Sequence, residues 1–395
     1  MSDEPVESVW TGYDGRVLAA ISIGWLAIRL GREAIPPLLP VIIEDMAISP
    51  AVAGLGLTAM WFVYATCQYP GGRLSDALSR KTVLTTSLAV LVVGFLVLTV
   101  VTTYGGLLVG FILVGLGAGL YFAPARALLA DSFGDRRGEV FGIQSAAGSI
   151  GAVTAAGVTL AALSFGIWQL SFLPVVCVLG VICLSLVLWH RQAYVLRWVR
   201  LGLGGTGHRI ASHARVRTLL VAYVFVSFSW QGFLGFLPTF LQAEKGFRPV
   251  FASGAFAAVF IVAVIAGPLA GRFADMAPRV LVALSGIGLA IMGILSLVAS
   301  STPVIAIFGV LLAALGLRSF PPVMQSHLIG LFPGESMAGD FGAMKTVWTG
   351  IGSLSPTYVG LVATRATYNL AFASFVVYLT CSLCVLSYVF LSHTD

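Results

Sequence analysis

The sequence predicts an all-α membrane protein of twelve transmembrane helices, arranged as two pseudo-symmetric six-helix bundles. Three observations carry that prediction: a composition suited to lipid, twelve apolar runs of spanning length, and an internal repeat at a constant offset. Of the 395 residues, 58% are hydrophobic and only 10% are charged, whereas soluble domains carry about 25% charged residues. Inside hydrocarbon every backbone polar group needs an internal partner, so runs of roughly 20 apolar residues are read as helices.

The runs fall near 17–41, 51–71, 82–101, 105–130, 139–163 and 167–190, then 218–242, 251–271, 280–299, 303–330, 340–363 and 367–391. Ahead of them, Asp3, Glu4, Glu7 and Asp14 replace the basic-then-apolar pattern of a cleavable signal, so the amino terminus is expected to be retained. Cys67, Cys177, Cys183, Cys381 and Cys384 all lie inside apolar runs. They read as small core residues rather than as disulfides or a zinc site, the Cys381-x-x-Cys384 pair included.

The net charge of +6 has no soluble basic domain to act through, so nucleic acid is not expected as a partner. Topology accounts for it instead. With both termini placed in the cytoplasm, Lys245, Arg248 and Arg365 fall outside and Arg29, Arg32, Arg126, Arg318 and Lys345 within spans, while the other 14 of the 22 Lys and Arg are cytoplasmic. That is the positive-inside asymmetry of a multi-pass protein, here expected in the cell membrane and in contact with the lipid bilayer. Segment 191–217 holds Arg191, Arg197, Arg200, Arg209, Arg215 and Arg217 with Gly202, Gly204, Gly205 and Gly207. It is the expected linker between an N-terminal bundle, 1–190, and a C-terminal bundle, 218–395, a basic loop set against anionic lipid.

The two halves repeat. Gly72-Arg73-Leu74-Ser75-Asp76-Ala77-Leu78-Ser79-Arg80 follows the second run, and Gly271-Arg272-Phe273-Ala274-Asp275-Met276-Ala277-Pro278-Arg279 follows the eighth, at an offset of 199. The same offset carries Phe133 onto Phe332, and one residue more aligns Phe141-Gly142 with Phe341-Gly342. A register held across two further spans marks a duplication.

On these residues the chain resembles the major facilitator superfamily, whose loop between helices two and three reads Gly-x-Leu-(small)-Asp-(basic)-x-Gly-Arg-(basic). Gly72, Leu74, Ser75, Asp76, Arg80 and Lys81 match, whereas Ala77 and Ser79 depart from it. The resemblance covers nearly the whole chain. It implies a secondary transporter, working as a monomer on a small-molecule substrate, with helices one, four, seven, ten and eleven lining a central cavity. It also implies a gate in which Asp76 and Arg80 meet Asp131, with Asp275 and Arg279 as the second-half counterpart. Exposed ion pairs of this kind are worth about 0–1 kcal/mol, which suits a latch released in each cycle.

The charges inside the spans point to the substrate. Each costs about 2.5–3.5 kcal/mol near the bilayer centre, so intramembrane charge marks a cavity by default. Arg29 and Arg318 each lie about 18 Å from the cytoplasmic end of their helices, near the midplane where transporters hold substrate. Arg29, Arg32 and Glu33 share one helical face by i, i+3, i+4 spacing, and Glu33 can neutralise Arg29. Arg32, Arg318, Lys345 and Arg126 remain for an anion, and guanidinium suits carboxylate or phosphate. Gln231 of span seven is a further candidate contact. For Arg126 and Lys345, near helix ends, an interfacial anchor is the competing reading. For Glu33, a proton-coupling carboxylate and a permanent counter-ion to Arg29 both stand, and His327 is a second titratable candidate.

The expectation is a carrier of a small organic anion, a carboxylate for example, driven by a proton or by exchange with another anion. Export of hydrophobic or cationic drugs is the alternative, disfavoured by the shortage of buried acids and by a fifth span that lacks the Gly-Pro pair typical of drug antiporters in that family. A non-transporting receptor is a third, without a soluble domain to support it. No nucleotide-binding, HExxH or haem-attachment motif is present, so neither enzymatic chemistry nor a cofactor or metal is expected.

Overall fold

A computed structural model describes residues 9–195, 197–198, 214–329 and 337–391, and among these no strand occurs. The first half contains α1 (Gly12–Asp45), α2 (Pro50–Ala77), α3 (Arg80–Val100), α4 (Tyr104–Ser132), α5 (Arg137–Ser164) and α6 (Leu173–Trp189). The second contains α7 (Ala214–Ala243), α8 (Pro249–Met276), α9 (Arg279–Ala299), α10 (Pro303–Ile329), α11 (Met337–Gly352), α12 (Ser355–Arg365) and α13 (Tyr368–Leu391). Several helices, α1, α2, α7 and α8 among them, run a few residues past their apolar runs, because polar residues extend a helix past the hydrocarbon, whereas α6 begins behind a 3₁₀ turn at Trp168–Phe172. Of the expected linker, Arg200, Arg209 and the four glycines lie outside the described residues, as do Asp3, Glu4, Glu7 and Phe332.

Among the described residues, ten helices are long and apolar enough to cross a membrane. The two remaining crossings carry the features that dilute such a signal. Helix α1 holds Arg29, Arg32 and Glu33, and the eleventh crossing is split into α11 and α12. The split has a covalent cause: Pro356 has no N–H to give the carbonyl of Gly352, so the chain turns at Ser353-Leu354 and restarts with proline in the first turn.

The helix pairs of the first half recur in the second. Helix α1 packs on α5 as α7 packs on α11, α2 on α4 as α8 on α10, α3 on α4 as α9 on α10, and α3 on α6 as α9 on α13. Between the halves, α2 meets α11 and α12 while α5 meets α8, the same relation seen from each side. This is the packing form of the duplication at offset 199.

The repeated segment corrects one expectation. Gly72–Ala77 and Gly271–Met276 are helical, the final turns of α2 and α8, and the true breaks are only two residues long. Ser79 ends the first break by capping α3, its Oγ accepting from the N–H of Thr82 at 3.1 Å. Lys81, read as a loop cation, is buried: its ammonium donates to the carbonyls of His190 (2.7 Å) and Val187 (3.2 Å) at the end of α6. There it satisfies carbonyls at the negative end of the helix. Tyr13 hydrogen-bonds His190 Nδ1 and accepts from the N–H of Arg191, so the start of the linker is knitted to α1, α3 and α6.

On the face away from the chain ends, the halves are sealed. Thr58 Oγ1 accepts from the hydroxyl of Thr357 at 2.7 Å and from its N–H at 3.2 Å, and Ala51 N–H donates to Thr364 Oγ1 at 3.2 Å. Glycines make this approach possible. A Cβ on Gly54 would strike the Pro356 carbonyl, and one on Gly360 would strike the Pro50 carbonyl.

Gly54→Leu is therefore expected to open the seal, since overpacking costs about 1–3 kcal/mol. Spin labels at the exposed positions Glu44 and Arg365, one on each half, should gain a longer-distance population by electron–electron resonance. An unchanged distribution contradicts the close approach. A second expectation concerns pH. Burial, and then nearby Lys81, hold the His190 imidazole below its ordinary 6.5. The unfolded chain then takes up the proton first, so stability falls as pH drops below about 6.5, and His190→Gln should flatten thermal unfolding midpoints across that acid range.

Candidate functional site

The site begins in α1, where the 3.6-residue period brings Arg29 and Glu33 onto one face. Arg29 Nη1 lies 2.6 Å from Glu33 Oε1, as the i, i+4 spacing predicts. The other oxygen, Oε2, is buried without a partner, and Glu33 is only 1% exposed. Arg32, the residue before Glu33 and so on an adjoining face, is 2% exposed and lies against two rings of α2. Its guanidinium carbon is 4.2 Å from the ring centroids of both Trp61 and Tyr64. The two rings stand at 88° to each other with centroids 5.5 Å apart, so the cation sits in the corner they make, electrostatically steadied without being neutralised, and Arg32 Nε and Nη1 are left without hydrogen-bond partners.

Helix α10 brings Arg318 from the other half. Pro321 and Pro322 remove the N–H groups that would bond Leu317 and Arg318, loosening the helix where the charge sits. The guanidinium of Arg318 lies 5.1 Å over the Trp230 ring of α7, and its buried Nε has no partner. Lys345 of α11 lies 4.9 Å over Phe122 of α4, a contact between halves, as is that of Arg29 over Phe260 of α8 at 5.5 Å.

Arg29, Arg32, Arg318 and Lys345 line one cavity of about 250 Å³. It lies between the halves, on the chain-end side of the Thr58–Thr357 seal. Trp25, Trp61 and Tyr64 complete its first-half wall, and α7, α10 and α11 supply the second, including Gln231, Tyr223, Phe320 and Trp348. No carboxylate is among the described lining residues.

Glu33 does not line this cavity. It faces a small space of about 10 Å³ behind Arg32, shared with Gln231 and bounded by Trp61 and Trp230, a volume on the order of one water molecule. Gln231 therefore touches both spaces. Its Nε2 donates to the Thr349 carbonyl at 3.0 Å and its buried Oε1 has no partner.

Two expected site residues stand apart. Arg126 is a turn nearer the chain ends than Phe122, 4.9 Å over both Phe122 and Phe141, and donates to Ser145 Oγ at 3.3 Å. Its position in α4 places it beyond the cavity wall. His327 lies two residues past Gln325, the last residue of α10 at the wall, and does not line the cavity.

At the chain-end face the expected gate residues of the first half meet. Arg80 lies 2.6 Å from Asp76 and 3.2 Å from Asp131, and also donates to Ser75 at 2.8 Å. In the second half Asp275 and Arg279 form no ion pair with each other among the described residues: α8 and α9 supply the charges, but Pro278, in place of a capping serine, sets a different break.

The family model described as Major Facilitator Superfamily matches residues 21–356 and, again, 219–395. The chain belongs to the major facilitator superfamily. Its members' two-bundle fold is that of solved transporters. A bacterial homologue of the human lysosomal transporter Spinster, in an inward-facing and occupied conformation, is 18% identical with a TM-score of 0.81, over 95% of this chain and 97% of that one. The nucleoside transporter NupG, as a point mutant, is 14% identical with a TM-score of 0.78, over 95% and 100%. A D-xylose–proton symporter is 14% identical with a TM-score of 0.77, over 95% and 97%. No curated protein matches in sequence. This major facilitator protein is thus a multi-pass membrane transporter of a small molecule, not an enzyme.

The aromatic lining is what sequence reasoning missed. A signal was present: Trp25 is one turn from Arg29, and Trp348 is three residues from Lys345, so each ring shares a face with a cation.

Proposed function

We propose that this major facilitator protein moves a small organic anion by alternating access. One observation carries the reading: four cations from both halves line the central cavity, and no carboxylate among its described residues opposes them. The unpartnered donors of Arg32 and Arg318 would receive the anionic group, and Arg29 is already balanced by Glu33. Hydrophobic cations, the drug-export alternative, would meet like charge on every helix that supplies an ionised side chain.

Glu33 is the coupling group of this proposal. Its unbonded oxygen faces the small space between halves rather than the substrate, so it senses the relation of the bundles and the charge on Arg29 together. A proton taken by Glu33, or exchange with a second anion, would drive the cycle. Asp76, Arg80 and Asp131 would hold the gate on the chain-end face, which the proposal assigns to the cytoplasm of a cell-membrane protein.

In proteoliposomes, Arg318→Ala and Arg32→Ala are each expected to weaken anion binding about ten- to a hundred-fold, the worth of one lost charge-assisted hydrogen bond. Anion transport that survives both substitutions unchanged defeats the proposal. Glu33→Gln should abolish accumulation driven by a pH gradient while anion exchange continues. If gradient-driven accumulation persists in that variant, Glu33 is a fixed counter-ion and coupling resides elsewhere.

A further inference from the structure

The geometry points to a planar aromatic acid bearing two anionic groups, one near each end, as the substrate class. This rests on the anion reading of the same cavity and adds two requirements to it: a flat apolar body, and a second charge.

The flat body follows from how the rings of the cavity are divided. Trp61, Tyr64 and Trp230 are occupied, each with a guanidinium over its face. Tyr223, Trp348 and Phe320 are not. Tyr223 and Trp348 stack with centroids 4.2 Å apart and planes 17° from parallel, and Phe320 meets Tyr223 edge-on at 4.9 Å. The Tyr223 hydroxyl donates to the Pro321 carbonyl at 3.2 Å, fixing the stack against α10. A rigid platform of aromatic faces and edges, free of cations, matches a ring that stacks or meets it edge to face.

The second charge follows from the spacing of the cations. Arg32 adjoins Trp230 and Gln231, Arg318 lies over the Trp230 ring, and Gln231 reaches the Thr349 carbonyl. Lys345 is one turn of α11 nearer the chain ends than Thr349, about 6 Å along the axis. Trp348 lies on the stretch between them. A ligand with one charge would leave either the guanidinium pair or the ammonium facing a low-dielectric cavity unanswered, and an unanswered charge there is costly. A para-disposed dianion answers both while its ring lies against Trp348. The cavity of about 250 Å³ falls below the range of about 300–1,000 Å³ that holds drug-sized ligands. That size admits one ring, or two fused rings, rather than a larger scaffold.

Three probes separate these requirements by calorimetric titration of the purified protein. Benzene-1,4-dicarboxylate has the ring and both charges, benzoate lacks one charge, and trans-cyclohexane-1,4-dicarboxylate lacks planarity. The first is expected to bind about five- to ten-fold tighter than the cyclohexane diacid, an aromatic contact being worth about that factor, and about ten-fold or more tighter than benzoate, which lacks one charge-assisted contact. Trp348→Leu should bring it to the level of the cyclohexane diacid, and Lys345→Met to the level of benzoate. Equal affinity for benzene-1,4-dicarboxylate and the cyclohexane diacid in the unaltered protein overturns this inference and leaves the anion reading standing, without recourse to any variant. Equal affinity for the two benzene acids overturns the second charge in the same way. Failure of all three probes to bind overturns this substrate class, and if inorganic phosphate, acetate and succinate fail as well, the anion reading falls with it.

Discussion

A guanidinium or ammonium within a bilayer has to be surrounded by something other than hydrocarbon, and most of this structure's interior is arranged around that constraint. All five cations inside the spans lie over at least one aromatic ring, and Arg32 and Arg126 each lie over two. A desolvated contact of this kind is worth about 2 kcal/mol or more, comparable with the cost of about 2.5–3.5 kcal/mol for one buried charge. Rings can therefore offset much of that cost without cancelling the charge. A carboxylate would have cancelled it. The distinction keeps the cavity positive and still lets the bundle hold together.

The rings also tie the cations to the relation between halves. Phe260 of the second half serves Arg29 of the first, and Phe122 of the first serves Lys345 of the second. Any rocking of one bundle against the other changes how these two charges are held. The halves are symmetric in helix packing but not in charge. The Arg80 cluster has no described equivalent at Arg279, and among the described residues the buried acid, Glu33, is in α1. Duplication supplied the scaffold twice, whereas the site was built once, across it.

Much of the fold was readable because hydrophobic length and backbone satisfaction leave few alternatives: eleven crossings are continuous helices close to their apolar runs. The break in the eleventh was also written in the chain, as Gly352, Pro356 and the intervening serines, but such residues read equally as close packing. The in-span charges drew attention to Arg29, Arg32, Arg318 and Lys345, which the fold brings to one cavity, since charge is rare at that depth. Sequence could not place Glu33 behind Arg32, because residues a single position apart on a helix diverge by about 100° and only the partner helices decide which faces the cavity. Arg126 was ambiguous for a related reason: helical depth was legible, but not the ring pair that holds it. The aromatics were the largest omission, since a ring's role as packing or as lining depends on what stands opposite.

The interruption at Ser353-Leu354 divides the eleventh crossing into two parts with different attachments. Helix α11 carries Lys345, Trp348 and Thr349 to the cavity, while α12 carries Thr357, Gly360 and Thr364 to the seal with α2. Gln231 grips the Thr349 carbonyl just before the joint. A continuous helix would force both parts to tilt as one rod. With a joint between them, the upper segment can swing away from α2 while the lower one stays in place against its cargo, so occlusion and release on the far face need not be simultaneous with loss of the ligand's contacts.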